Sequence, residues 1–104
     1  MKLNLLERIL GISLVSEYKE GNFMTFKIID SLKKKLLVTE DEIKEFELRV
    51  EDNKYLWNTK GQEFREIALT EGEIKLIKDQ LIKLDKDDKL NEQHVSLYEK
   101  FVGE

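Results

Sequence analysis

The sequence has 104 residues, 40% of them hydrophobic and 38% charged, with a formal net charge of −4 at pH 7. These values predict one folded domain, residues 1–104, rather than a disordered chain, and the negative charge disfavours partners with phosphate backbones or anionic membranes. The absence of cysteine excludes disulfides, cysteine-based metal sites and thiol nucleophiles, and fits a reducing, cytoplasmic location. No apolar run approaches the ~20 residues that span a bilayer, so no membrane contact is predicted.

The first third of the chain has helical periodicity in two stretches. Residues 3–15 carry apolar side chains on most sides and predict a helix central to the core, which Gly11 ends or kinks. A second helix is predicted over about 25–37, with lysines in its last turns beside the negative end of the helix dipole. Its apolar stripe is formed by Ile28, Ile29, Leu32 and Leu36.

Capping signals predict where three later helices begin. Thr39 and Thr70 are each followed three residues later by a glutamate, which is the spacing of a capping box. They predict a short helix after Thr39 and a longer one from Glu71 to about Leu84. Asn91 repeats part of this device and predicts a last helix from Glu92 to Val102, after a charged linker over residues 85–89.

A strand pattern occupies residues 46–57, FELRVEDNKYLW, between these helices. Apolar and charged residues alternate, as in a strand with one buried face, and Asp52-Asn53 tolerates the positive φ of a tight hairpin turn. The resulting register places Val50 opposite Tyr55 and Leu48 opposite Trp57. We therefore expect one buried face that carries Phe46, Leu48, Val50, Tyr55 and Trp57.

Residues 64–69 predict a third strand, with Phe64 opposite Trp57 on the buried face. The predicted fold class is therefore α+β: a three-stranded antiparallel meander over about residues 46–69, packed against about four to five helices. The expected core consists of Leu6, Ile9, Leu10, Ile29, Leu32, Leu36, Ile43, Leu48, Val50, Trp57, Phe64, Ile77, Leu81 and Leu84.

No motif in the sequence indicates catalysis. His94 is the only histidine and lacks partners at metal-ligand or relay spacing, and the glycines stand singly rather than in a phosphate loop. The run Asp85–Lys89 departs from the calcium-loop pattern because Leu90 replaces the required glycine. The 22 carboxylates are expected on exposed faces. We therefore predict a protein that is not an enzyme, with no catalytic residues, cofactor or metal.

Two functions remain open from the residues alone. The last helix presents Leu97, Tyr98 and Phe101 together, a wide apolar face for a short helix. Such a face is buried either on its own domain or against a second copy or partner. The sequence thus favours a non-catalytic protein-interaction module that binds a protein partner or itself.

The alternative is a nucleic-acid-associated regulator that uses Lys33, Lys34 and Lys35. Helix, turn, helix and hairpin follow the order of a winged helix, and these lysines are candidates for phosphate contacts. However, the helix that would enter the groove begins with three carboxylates, residues 40–42, and the hairpin tip is acidic. Binding through released counterions needs cations without adjacent repulsion, so nucleic acid is the disfavoured partner.

Three stretches also resemble a known group of proteins. LNLLERIL (residues 3–10), EGNFMTFKII (20–29) and KLNEQHVSLYEKFV (89–102) resemble small uncharacterised proteins of phages and bacterial prophages, over nearly the whole chain. The resemblance implies an intracellular protein, a phage or prophage accessory factor of unassigned role. The matching residues are packing and capping residues, so the resemblance transfers no functional site.

Overall fold

The computed structural model describes residues 1–103 and shows an α+β protein. Within these residues are five α-helices: α1 Leu5–Ser16, α2 Phe23–Leu36, α3 Glu40–Phe46, α4 Glu71–Lys86 and α5 Val95–Phe101. The strands are β1 Lys2–Leu3, β2 Arg49–Glu51, β3 Lys54–Leu56 and β4 Arg65–Glu66. Single 3-10 turns cover Thr59–Gln62 and Glu92–His94.

The predicted three-stranded meander is wrong, because its strands belong to two separate sheets. β2 and β3 form the expected hairpin, with Val50 opposite Tyr55 in the predicted register. Asp52 and Asn53 both have positive φ, 51° and 64°, as a two-residue type I′ turn requires. The third strand, β4, pairs instead with β1 at the beginning of the chain.

Contacts of the first residues of the chain account for the pairing of β4 with β1 rather than with the hairpin. The Met1 ammonium lies 2.8 Å from Glu66 Oε1, and the Ile67 amide donates to the Met1 carbonyl at 2.8 Å. These contacts supply a backbone partner for β4 across the molecule. A strand of two residues, Lys2–Leu3, is too short to show any alternation in the sequence.

The strand pattern also begins later than predicted. Phe46 is the last residue of α3, and Glu47 after it adopts the left-handed conformation, φ 52°. The Leu48 amide then donates to the Ile43 carbonyl at 3.0 Å, which is the 6→1 hydrogen bond that defines a Schellman motif. Phe46 and Glu47, the first two residues of the predicted strand, are thus the last residue of α3 and its C-terminal cap.

The capping predictions at Thr39 and Thr70 are confirmed, whereas Asn91 caps the 3-10 turn Glu92–His94 and α5 begins only at Val95. Thr39 and Thr70 each form a complete capping box with the glutamate three residues on. Asn4 forms a third box on α1, and Asn22 caps α2 ahead of the predicted start. The predicted break at Gly11 is wrong: α1 continues to Ser16, and Gly11 instead allows close packing, since a Cβ there would lie 3.0 Å from Leu36 Cδ1.

The core lies among α1, α2, α4 and α5. Its buried members are Leu3, Leu14, Val15, Ile29, Leu32, Leu36, Ile77, Leu81, Leu97 and Phe101. Five predicted core residues are fully buried: Ile29, Leu32, Leu36, Ile77 and Leu81. Six are only half-buried: Leu6, Ile9, Leu10, Leu48, Trp57 and Leu84. Ile43, Val50 and Phe64 are exposed. Val50 lies on a two-stranded hairpin, which has no third strand to cover it.

Gly61 is expected to be the glycine least tolerant of a side chain. A Cβ there would lie within 3.0 Å of the Trp57 ring atoms Cγ and Nε1, so the indole must move. Gly61→Ala should cost about 1–3 kcal/mol in unfolding free energy, measured by urea titration. Gly72→Ala is the control, because its Cβ meets only Ile28 Cδ1 at 3.4 Å. Equal effects of the two substitutions would contradict the packing of Trp57 on Gly61.

Candidate functional site

An exposed concavity lined mostly by apolar side chains lies beside the hairpin. It is a groove of about 310 Å³ between α1, α3 and the β2–β3 hairpin, which we name the hairpin groove. Its lining is apolar or aromatic apart from one serine, and comprises Ile9, Ile12, Ser13, Leu37, Val38, Ile43, Leu48 and Tyr55. Such a lining offers apolar contacts and the hydroxyl groups of Ser13 and Tyr55, but no set of groups for proton transfer or metal binding.

Several large apolar side chains stay in contact with solvent at this groove. Leu37 is 63% exposed, Tyr55 57% and Ile43 40%. Val50, 62% exposed, pairs with Tyr55 across the hairpin and extends the same apolar face. Contiguous exposed apolar surface of this kind marks sites of interaction on soluble proteins.

Arg8 holds the edge of the groove formed by the α2–α3 connection. Its guanidinium donates to the Leu36 carbonyl at 3.1 Å and to the Leu37 carbonyl at 2.9 Å. The same group contacts the Glu42 carboxylate through two nitrogens, at 2.7 and 3.1 Å. These bonds satisfy the last carbonyls of α2 and tie α1 to both α2 and α3. The backbone that presents Leu37 to solvent is thereby fixed.

The two turns flanking β2 place the other walls. The Schellman ending of α3 brings Leu48 back towards Ile43, and both side chains line the groove. The type I′ turn sets the register that returns Tyr55 to the same face as Leu48 and Val50. The walls of the groove formed by Ile43, Leu48 and Tyr55 are thus set by local backbone conformations rather than by long-range strand pairing.

Three buried or half-buried carboxylates, Glu7, Glu42 and Glu73, join pairs of helices in the fold. The expectation that carboxylates lie on exposed faces is wrong for Glu7, 1% exposed, and Glu73, 2% exposed. Glu7, Glu42 and Glu73 are the glutamates of the three capping boxes on α1, α3 and α4. Each of them also contacts a cation from another helix. The pairs are Glu7–Lys100, Glu42–Arg8 and Glu73–Lys35, each at 2.7 Å.

The hydrogen-bond partners of Glu42 and Glu73 account for the lowered pKa of each carboxyl group. The hydrogen bonds from Arg8 lower the pKa of Glu42 to about 2. Burial acts to raise the pKa of Glu73, but hydrogen bonds from Lys35 and the Thr70 amide outweigh it and hold the pKa below its usual value. Within residues 1–103, no fully buried side-chain nitrogen or oxygen lacks a hydrogen-bond partner. These carboxylates are therefore capping and ion-pair groups rather than free acids or bases.

The depressed pKa of Glu42 predicts loss of stability in acid. Its pKa is about 2 when folded against an ordinary 4.5, so the stabilisation is complete above pH 4.5 and is lost as the pH falls towards 2. Glu42→Gln should therefore reduce stability most at neutral pH and least near pH 2. The measurement is urea unfolding of parent and variant over this range, with the exposed Glu51→Gln as control. If the parent and the variant differed in unfolding free energy by the same amount at every pH, the lowered pKa of Glu42 would be contradicted.

The three lysines of the nucleic-acid alternative lie at the C-terminal end of α2. Lys35 is paired with buried Glu73, and Lys34 lies 3.0 Å from Asp30 on its own helix. Lys33 takes part in no ion pair with another residue in the range 1–103. The structure thus leaves one of the three cations without a carboxylate partner, and nucleic-acid binding stays a prediction of the sequence.

The residues singled out on the last helix are packed against the rest of the chain. Leu97 is 0% exposed and Phe101 6%, and both belong to the core. Tyr98 is half-buried, and its hydroxyl donates to Asp85 Oδ2 at 3.3 Å. Of the two alternatives for this face, packing on its own chain is the one observed. The apolar side chains that remain exposed lie instead at the hairpin groove, among other places.

Other features of the described chain do not supply a metal site or a membrane span. His94 Nδ1 accepts a hydrogen bond from the Asn91 amide at 3.2 Å, as part of a helix cap. Residues 1–103 contain no group of three or more histidine, cysteine, aspartate or glutamate side chains placed to hold a metal ion. In the same range, no helix combines the length and the apolar character needed to cross a membrane.

Comparison with protein-family models, with curated proteins and with solved structures gave no match.

Proposed function

We propose that this protein is a non-catalytic protein-interaction module whose contact surface is the hairpin groove. The observation that carries the proposal is the exposure of large apolar side chains around a concave, apolar site: Leu37, Ile43, Val50 and Tyr55. Leaving these side chains in water costs free energy that a protein partner would recover by covering them. Tyrosine, which can both pack and donate a hydrogen bond, is also enriched at protein interfaces.

The rigidity of the groove supports the same function. The Leu36–Leu37 backbone is held by Arg8, and Leu48 is held by the ending of α3. A surface whose backbone is already fixed loses less conformational entropy on binding than a flexible loop does. Its role as an accessory protein of a phage or prophage, and its cytoplasmic location, remain proposals that rest on the resemblance and composition.

Leu37→Lys tests the proposal with little risk to the fold. Leu37 is 63% exposed and follows the end of α2, where a cation suits the helix dipole. Immobilised parent protein should retain a specific partner from an extract of the native host, and Leu37→Lys should lose most of it. Val95→Lys is the matched control, since Val95 is 52% exposed on α5, outside the groove.

The two variants give distinct outcomes. Loss of the captured partner with Leu37→Lys, but retention with Val95→Lys, would place the contact at the groove. Equal retention by both variants would overturn the groove as the contact surface. Thermal unfolding of each variant must first show a cooperative transition like that of the parent, so that lost binding is not lost folding.

A further inference from the structure

A polar cleft of about 340 Å³ lies between α1 and α4, and we name it the α1–α4 cleft. Glu17 and Asp87, the C-terminal caps of these two helices, both line it. It shares one lining residue, Ser13, with the hairpin groove and is otherwise a separate surface. Its volume falls at the lower end of the range of about 300–1,000 Å³ that is usual for small-molecule sites.

Gln80 brings an unpartnered amide group to this cleft. The residue is only 9% exposed on α4, and its side chain forms no hydrogen bond with another residue in the range 1–103. Because no fully buried side-chain nitrogen or oxygen in this range lacks a partner, both polar atoms of the amide must still reach solvent. Gln80 lines the α1–α4 cleft and the polar depression that adjoins it beside Tyr18, so they reach solvent there. The cleft thus offers one hydrogen-bond acceptor and two donors on a side chain that is otherwise buried.

Charged groups of both signs line the cleft around this amide. Lys83 and Lys89 supply two ammonium groups. Glu17 and Asp87 supply two carboxylates. None of these four side chains takes part in an ion pair with another residue in the described part of the chain. Because the two carboxylates belong to helix C-terminal caps, the partial negative charge of the helix ends adds to theirs. The cleft can therefore bind an ammonium group and a carboxylate at the same time.

The ending of α4 fixes the backbone of the second lysine and sets it beside apolar groups. Asp88 adopts the left-handed conformation, φ 54°, and the Lys89 amide donates to the Leu84 carbonyl at 2.8 Å. This is the 6→1 hydrogen bond of a Schellman motif, which turns the chain back over the last turn of the helix. Leu84, half-buried, and Leu14, 5% exposed, also line the cleft. They provide apolar contacts for an aliphatic group.

From these features we infer that the α1–α4 cleft binds a free α-amino acid with an aliphatic side chain. The ammonium group of the ligand contacts the carboxylates of the cleft, and its carboxylate contacts the two lysines and the Gln80 amide. Its side chain packs on the two leucines. A simple anion would meet the two carboxylates, and a simple cation would meet the two lysines, so a zwitterion fits the cleft better than either. The inference goes beyond the proposed function, which concerns the hairpin groove.

Titration of the isotope-labelled protein with L-leucine, followed by proton–nitrogen correlation NMR, tests this inference. The side-chain amide signal of Gln80 and backbone amide signals around the cleft should shift and saturate. The expected dissociation constant is of the order of 1–10 mM, because a small ligand in an open cleft makes few contacts. Two analogues separate the charges: 4-methylpentanoate lacks the ammonium group, and leucinamide lacks the carboxylate. Each should bind at least about threefold more weakly than leucine. No shift around the cleft, or an analogue that binds as tightly as leucine, overturns the inference.

Two variants test the groups of the cleft itself. Gln80→Met removes the amide but keeps a side chain of similar length, and Lys83→Gln removes a cation at an exposed position. Each should bind leucine at least about threefold more weakly than the parent does. Lys78→Gln is the matched control, because Lys78 is also an exposed lysine of α4 but does not line the cleft.

Thermal unfolding must first show that each variant retains a cooperative transition. If Gln80→Met does not fold, Lys83→Gln decides the question by itself. Unchanged affinity for leucine in Lys83→Gln, or in a folded Gln80→Met, overturns the inference, as does an equal loss in Lys78→Gln. None of these results bears on the proposed function, because capture of a protein by the groove is tested with Leu37→Lys and Val95→Lys.

Discussion

Replacing Arg8 with alanine is expected to destabilise the protein by about 3–5 kcal/mol. The Arg8 side chain is only 6% exposed, and its removal strips hydrogen bonds from the carbonyls of Leu36 and Leu37 and from the Glu42 carboxylate. Removing one partner of a buried pair costs more than the pair contributes, because the remaining group stays desolvated and unpaired. The measurement is the free energy of unfolding from urea titration.

Arg49→Ala is the matched control for this substitution. Arg49 is also an arginine paired with a glutamate, but both side chains are more than half exposed, at 52% and 59%. An exposed ion pair contributes about 0–1 kcal/mol, so little should change. If Arg8→Ala cost no more than Arg49→Ala, the claim that Arg8 fixes the edge of the groove would be wrong.

Phe46→Ala is expected to cost about 3–5 kcal/mol. The side chain is 1% exposed at the end of α3, with the Arg65 guanidinium 4.7 Å from the ring centre. Truncation removes apolar contacts, leaves a cavity and withdraws the aromatic face from Arg65. In a fold whose total stability is of the order of 5–15 kcal/mol, this is a large share.

Phe23→Ala is the control, with the same chemical change at a side chain that is 75% exposed. Its effect should stay within about 0.5 kcal/mol, as for most surface substitutions. Thermal or urea unfolding of the two variants would measure the difference. Similar losses for Phe46→Ala and Phe23→Ala would contradict the burial of Phe46.

Local signals in the sequence predicted much of this fold. The capping boxes at Thr39 and Thr70 are present as expected, and the hairpin turns at Asp52-Asn53 in the predicted register. These features depend on a few neighbouring residues whose backbone preferences agree with the final structure. Contacts over long sequence separations, such as the pairing of β1 with β4, had no such signal.

The alternation of residues 46–57 indicated a strand face but not what would cover it. Val50 and Tyr55 do share a face, as predicted, yet that face meets solvent and the groove rather than a third strand. Periodicity reports which residues point the same way, and burial is decided by elements far along the chain. The same limit explains why the sequence left open whether Leu97 and Phe101 pack on their own chain, as they do, or on a partner.

One local feature of the sequence indicates part of the groove. Val38 and Ile43 occupy the staple positions around the Thr39 cap, and both line the groove. The sequence did not predict where α3 ends, because the residue that adopts the left-handed conformation there is Glu47 rather than a glycine. Buried Glu7 was missed for a similar reason: its ion pair with Lys100 joins residues 93 positions apart.

The most direct test of the proposed function is site-specific photo-crosslinking at the groove. A photoreactive phenylalanine analogue in place of Tyr55, 57% exposed, should form an adduct with a protein partner in cells of the native host or with a second copy. The same analogue in place of Phe64, 56% exposed but lying beneath Lys100 outside the groove, should form none. Adducts at Tyr55 alone are the result we predict. No adduct at Tyr55, or the same adducts at both positions, would contradict the assignment of the hairpin groove as the contact surface.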